Sequence, residues 1–186
     1  MEKKKTFTVY QIVFIGVMAA VVFVITFFRF PLMGSKVHFA NSMCLLSGLM
    51  FGPVGGGLSA GIGSALYDAL PGGYNVIECA ITFVSKFLMA FVCALIARTA
   101  KEGGAPRFRV VAACVAGALS YVALYMLKTF VFQRFVYGYP GDVVWATMLS
   151  KLPASLINAV FAMAVTPVIY AALLPALKKT GIFDRL

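Results

Sequence analysis

Glu78, Lys86, Lys128 and Lys151 stand inside runs of Val, Ile, Leu, Phe and Ala. Ionisable groups at such places are expensive in an apolar surrounding, and they usually face a bundle interior or a water-filled cavity. Their spacing is informative. Glu78, Thr82 and Lys86 share one helical stripe, Tyr121, Tyr125 and Lys128 a second, and Lys151, Ser155 and Asn158 a third, because residues three and four apart stack on one helix face. At about 1.5 Å per residue, Lys86 lies roughly 15 Å and Lys151 roughly 12 Å from the start of its apolar run, and Lys128 falls at a similar depth. Three polar stripes at one level predict a cavity that opens to one side of a membrane. It holds more lysine than acid, which suits a ligand with acceptors or an anionic group. Tyr67, Tyr74, Tyr121, Tyr125 and Trp145 offer rings for a planar molecule to stack on, and His38 lies in a loop that reaches the same level. The competing reading pairs Glu78 or Asp68 with a lysine between helices and lets Lys128 extend outwards.

These groups do not point to catalysis. The chain has no H-E-x-x-H, no G-K-[ST] phosphate loop and no clustered metal ligands. A protein that is not an enzyme, with no metal and no cofactor, is expected.

The elements that must carry the stripes follow from composition. Of 186 residues, 62% are hydrophobic and 12% charged, against roughly 45–50% and 25% in soluble domains. The chain is expected to be an integral membrane protein with room for about six spans of roughly 20 residues, forming one all-α domain over 1–186. The apolar runs lie at about 9–30, 39–51, 54–70, 76–97, 110–136 and 143–177. The first is too long for a signal-peptide core and is kept as a span. The second and third fall short of 20 residues, which predicts tilt, local thinning or a partly non-helical stretch. In the sixth, Pro153 and Pro167 are expected to kink the helix or set its start. Cys44, Cys79, Cys93 and Cys114 all lie in apolar segments without a C-x-x-C pair, so free buried thiols are expected.

A net charge of +10 could suggest nucleic acid, but its placement argues for membrane orientation. Ten of the 16 Lys and Arg fall in three clusters: Lys3, Lys4 and Lys5; Arg98, Lys101, Arg107 and Arg109; Lys178, Lys179 and Arg185. With six spans all three fall on one side, which the excess of basic residues marks as cytoplasmic. Both termini are then cytoplasmic, and nucleic acid is not an expected partner.

The stretch "GPVGGGLSAGIGSALYDALPGGYN" holds eight of the 17 glycines. Small residues let helix backbones approach where lipid removes the usual apolar driving force. The third span is therefore expected to be central, with Asp68 at its end beside Tyr67, Tyr74 and Asn75.

The run "VHFANSMCLLSGLMFGPVGGGLSAGIGSALYDALPGGYNVIECAITFVSKFLMAF" resembles the substrate-binding S components of energy-coupling factor (ECF) vitamin transporters. The likeness rests on the H-x-x-N opening (His38 and Asn41), the G-P-x-x-G turn, the small-residue helix ending in Asp68, and "TFVSKFLMAF". It is greatest to the branch associated with pyridoxine and hydroxymethylpyrimidine; riboflavin, folate, pantothenate, thiamine and a queuosine precursor remain open. The resemblance implies a six-helix bundle that captures a vitamin on its outer side. It would dock on a T component bound to two cytoplasmic ATPases, and topple to release its ligand inwards. Members carry Ala-x-x-x-Ala towards the T component; here Gly16 and Ala20 take those places within "GVMAA". Ligand contacts in the family come from the loop after the first helix and from helices four to six. Combined with the stripes, the expected ligand-binding set is His38, Asn41, Asp68, Tyr74, Asn75, Glu78, Lys86, Tyr121, Tyr125, Lys128, Trp145, Lys151 and Asn158. Within it Lys151 and Asn158 are expected to touch the ligand, with His38 closing over them, and Lys86 to be paired internally. A self-contained small carrier or channel is the alternative.

Overall fold

A computed structural model describes residues 8–32, 35–98 and 106–179. Lys3, Lys4, Lys5, Lys101 and Arg185 lie outside the described residues, as do Gly34, Gly103 and Gly104. The helices are α1 (Val9–Ile25), α2 (Ala40–Ala69), α3 (Val76–Arg98), α4 (Arg107–Val131) and α5 (Gly141–Lys179). A π-helical turn, Phe132–Val136, follows α4. Two short strands, β1 (Arg29–Leu32) and β2 (Ser35–His38), pair antiparallel with Arg29 opposite His38 and Pro31 opposite Lys36. Residues 29–32 and 35–38, expected within a loop, thus pair as the two strands of a β-hairpin.

α2 is two helical arms. Gly52 breaks it with φ 76° and ψ −170°, a conformation that favours glycine, and Pro53 restarts the helix. Along a straight helix, Cys44 and Ser64 would stand about 30 Å apart. Instead their Sγ and Oγ are 3.9 Å apart, and the Ser47 hydroxyl donates to Gly56 O at 2.9 Å. The arms, 40–51 and 53–69, therefore lie side by side. The shortness of the second and third apolar runs has its cause here: each is one arm of a helical hairpin. α5 runs through Pro153, Pro167 and Pro175 as a single element. A helix of 39 residues is about 58 Å long at 1.5 Å per residue. It is too long to stand upright within one bilayer.

The helices pack in sequence, α1 on α2, α2 on α3, α3 on α4 and α4 on α5, and α5 closes the bundle back onto α2. Small groups fill the centre: Cys44, Ala60, Ala90, Cys93, Ala113, Cys114, Ala118, Ala159 and Ala162 around Val22, Leu45 and Met89. Glycines on the second arm of α2 form slots for rings of α3. A methyl at Gly57 would stand 2.7 Å from the Phe87 ring, and one at Gly61 2.8 Å from the Phe83 ring. Phe83, Phe87 and Phe91 stack along this seam. The exterior is apolar on every helix, as at Val13 and Val17 of α1, Val76 and Ile77 of α3, Leu127 of α4 and Val160 and Val168 of α5. Ala40–Ala69, Val76–Ala97, Arg107–Val136 and Gly141–Ala176 are long and apolar enough to cross a membrane, α2 by the summed length of its two arms.

Gly56 tests the folding of the two arms. A Cβ there would lie 2.4 Å from Ser47 O and 2.5 Å from Gly48 Cα, whereas one at Gly141 meets nothing within 4 Å. Gly56→Ala should lower stability by about 1–3 kcal/mol through overpacking, and Gly141→Ala should not lower it. Equal melting temperatures for both variants in detergent would refute the paired arms.

Candidate functional site

A cavity of about 360 Å³ opens between the β-hairpin and helices α2 to α5. The β-pairing fixes which hairpin side chains reach it. Arg29, Pro31, Lys36 and His38 share one face of the two-stranded sheet, since opposed residues point the same way and neighbours alternate. Arg29, Lys36 and His38 line the cavity, while Phe30 on the other face is 61% exposed. Five basic residues (Arg29, Lys36, Lys86, Lys128 and Lys151) and two acids (Asp68 and Glu78) line it. The aromatic wall is Tyr67, Tyr74, Tyr121, Tyr125, Phe132 and Tyr137. Tyr121 and Tyr125 lie at 6.3 Å with rings nearly parallel, one turn apart on α4.

Lys86 is 3% exposed. Its Nζ donates a hydrogen bond to Asn41 Oδ1 and stands 3.8 Å from the centroid of the Tyr121 ring, a cation–π contact. The expected internal pairing therefore exists, but the partners are an amide and a π face, with no carboxylate. Glu78, which shares the Lys86 stripe, pairs instead with Lys128 across α3 and α4 at 3.6 Å. That ion pair is the alternative that the sequence left open, and among the described residues it is the one that forms. Lys151 lines the cavity and has no ion pair among the described residues.

Asn158 lines the cavity and also bonds to the hairpin. Its Nδ2 donates to Lys36 O at 2.8 Å, and its Oδ1 accepts from His38 N–H at 2.8 Å. The side chain pairs with β2 as a third strand would, spending one N–H and one oxygen lone pair on the hairpin. It positions His38 and keeps a second N–H and a second lone pair at the cavity wall. Lys36 reaches across to Tyr74, donating to its hydroxyl at 3.1 Å, and Arg29 lies 4.9 Å above the Tyr67 ring. The hairpin is thereby tied to α5 and to both ends of the α2–α3 turn.

Two expected residues fall elsewhere. Asn75 caps α3: its Oδ1 accepts from Glu78 N–H at 2.9 Å, the usual work of Asn before a helix. Trp145 is 62% exposed on the outer face of α5, away from the cavity. Asn41 reaches the site through Lys86. His38, Asp68, Tyr74, Glu78, Tyr121, Tyr125, Lys128, Lys151 and Asn158 are brought together at the wall. Arg29, Lys36, Thr26, Phe132, Gln133 and Tyr137 also line it, and the sequence reading missed them. Strand alternation in "RFPLMGSKVH" could have flagged Arg29 and Lys36. The π turn that carries Phe132 and Gln133 has no sequence signal of its own, although such turns gather at functional sites. Gly16 and Ala20 lie on the exposed face of α1, opposite buried Ile15, Met18, Ala19 and Val22.

His38 is neutral at pH 7. Burial first, then the cations of Lys86, Arg29 and Lys36, push its imidazole down to about 3. The unfolded chain protonates this group below about 6.5 and the folded chain resists until about 3. The stabilisation is therefore whole above pH 6.5 and is lost as the pH falls towards 3, at about 1.4 kcal/mol per unit. Between about pH 7 and pH 5, the melting temperature should fall more steeply for wild type than for His38→Gln. Parallel slopes would show that His38 is not sealed from protons.

A family model described as ECF-type riboflavin transporter, S component, matches residues 6–175. No match is found among curated proteins. Among solved structures, one reported as "Structure and mechanism of the S component of a bacterial ECF transporter" aligns with a TM-score of 0.64 at 18% identity, over 90% of this chain and 97% of that one. At that identity the likeness speaks for the fold. The sequence match runs through all the helices that build the cavity, and the protein belongs to the family of ECF-type riboflavin transporter S components.

Proposed function

We propose that the protein captures a small planar heterocyclic vitamin from outside the cell. It hands the ligand inwards by docking on a T component that carries two cytoplasmic ATPases. The observation that supports this best is the cavity itself: tyrosine faces for a ring, and five basic residues against two acids for an acceptor-rich edge. Riboflavin, which the family description names, is the first candidate. A one-ring pyridoxine or hydroxymethylpyrimidine ligand is the second reading. A cavity of about 360 Å³ favours it, being near the small end of the roughly 300–1,000 Å³ range of ligand pockets. In this reading α1, the two arms of α2, α3, α4 and α5 are six spans. The termini and the 99–105 loop are cytoplasmic, and the hairpin faces outwards.

The exposed stripe of Gly16 and Ala20 is the proposed contact with the T component. A side chain at Gly16 would meet nothing within 4 Å inside the protein, so Gly16→Leu should fold and bind normally while holding the partner surface away. Titration of purified wild type with riboflavin, pyridoxine and hydroxymethylpyrimidine should give saturable one-to-one binding of at least one. Gly16→Leu and Ala20→Leu should retain that affinity and lose uptake in cells that supply the T and ATPase subunits. No binding of any of the three would reject the vitamin class, and uptake by the chain alone in liposomes would favour a self-contained carrier.

Orientation has its own test. In a Cys79→Ser background, a cysteine placed at Gly141 should react with an impermeant thiol reagent on intact cells. Cysteines at Lys101 and Lys179 should not. Labelling at Lys101 would overturn the arrangement.

A further inference from the structure

We propose that His38, Ser155 and Lys86 form a recognition subsite in the cavity that takes a ligand edge carrying a hydrogen-bond donor beside an acceptor. The inference rests on the reading of the protein as a vitamin-binding subunit, and deepens it by assigning the polar contacts.

Unpartnered polar atoms point to the subsite. His38 Nδ1 and Ser155 Oγ are buried and without a hydrogen-bond partner, and both residues line the cavity. Ser155 is 4% exposed. Serines and threonines in helices commonly quiet their hydroxyls on a carbonyl one turn back. Several in this bundle do so, including Thr147 to Val143 O and Ser150 to Thr147 O on the same helix. Ser155 does not. Ser42 Oγ is also unpartnered, but it lies off the cavity wall.

The three residues are drawn to one place by bonds already described. Asn158, one turn beyond Ser155 on α5, grips the backbone of His38. Lys86 is bonded to Asn41, three residues beyond His38. Lys86 is also the cation that acts most strongly on His38.

Their chemistry is complementary. With its proton on Nε2, the neutral imidazole presents the Nδ1 lone pair as an acceptor, so a ligand O–H or N–H can donate to it. Lys86 has three N–H donors, and among its described contacts only Asn41 is a hydrogen-bond acceptor. Another N–H, with the Ser155 hydroxyl, can donate to a neighbouring oxygen or ring nitrogen. Lys128 is not equivalent, because Glu78 already takes it.

The test titrates riboflavin, pyridoxine and hydroxymethylpyrimidine against the purified full-length protein and its variants, and records unliganded melting in parallel. Ser155→Ala and His38→Ala should each weaken the vitamin that binds by roughly tenfold. Ser155→Ala should melt no lower than wild type without ligand, since it removes an orphan hydroxyl. His38→Asn, whose side-chain oxygen restores an acceptor near Nδ1, should stay within roughly threefold of wild type. Wild-type affinity in both alanine variants would overturn the subsite and leave the vitamin-binding reading standing. A Ser155→Ala protein that loses affinity only in step with unliganded stability would overturn it too. A wild-type protein that binds none of the three vitamins would remove the subsite together with that reading.

Discussion

At Gly56 and Gly63 on the second arm of α2, the nearest neighbour of an added methyl would be a backbone oxygen: Ser47 O at 2.4 Å and Ala19 O at 2.3 Å. On the first arm, Gly48 stands in the same relation to Ala90 O of α3, at 2.4 Å. So α1, both arms of α2 and α3 press main chain against main chain, and the site depends on that spacing. In a lipid-facing bundle, helices gain little from burying apolar side chains against one another, and close van der Waals approach must supply the attraction. The approach fixes α3 with Lys86 directed at Asn41 on the first arm. It also leaves the residues of the wider end to enclose a cavity.

Polar groups in that cavity are held by neutral partners more than by opposite charge. Lys86 rests on an amide and a ring, Lys36 on a phenol, and Arg29 on a ring face. The Glu78–Lys128 pair is partly exposed, with side-chain exposures of 21% and 23%, so it adds little to stability. The surplus positive charge is therefore not cancelled from within. That arrangement favours an acceptor-rich guest, and the same field adds to burial in keeping His38 neutral.

Much of this was legible in the sequence. The three polar stripes, the short second and third runs and the small-residue helix follow from periodicity and composition, and they correspond to the cavity wall, the two arms and the glycine slots. What was not legible depends on partners distant in sequence. Asn158 reads as a cavity residue from its stripe, but its bonds to β2, about 120 residues earlier, cannot be read there. Trp145 reads as a stacking ring until the rotation of α5 turns it outwards. Asn75 was the reverse case. Its N-x-x-E spacing with Glu78 is a local capping signal, and the pull of neighbouring Tyr74 and Asp68 towards a site obscured it. The vitamin branch suggested by the resemblance, pyridoxine and hydroxymethylpyrimidine, is finer than family membership reaches.

The hairpin's attachment to α5 has a kinetic consequence. Its two strands pair with each other, and among the described residues the hydrogen bonds from β2 to α5 are the two of the Asn158 amide, worth about 0.5–1.5 kcal/mol each in net terms. Swinging the hairpin off α5 leaves the β1–β2 ladder and every helix whole. Passage between bulk water and the cavity along that edge would then need a local motion of the kind loops make, and not a rearrangement of the bundle. Residence time would be set by how firmly a guest itself bridges hairpin to helix.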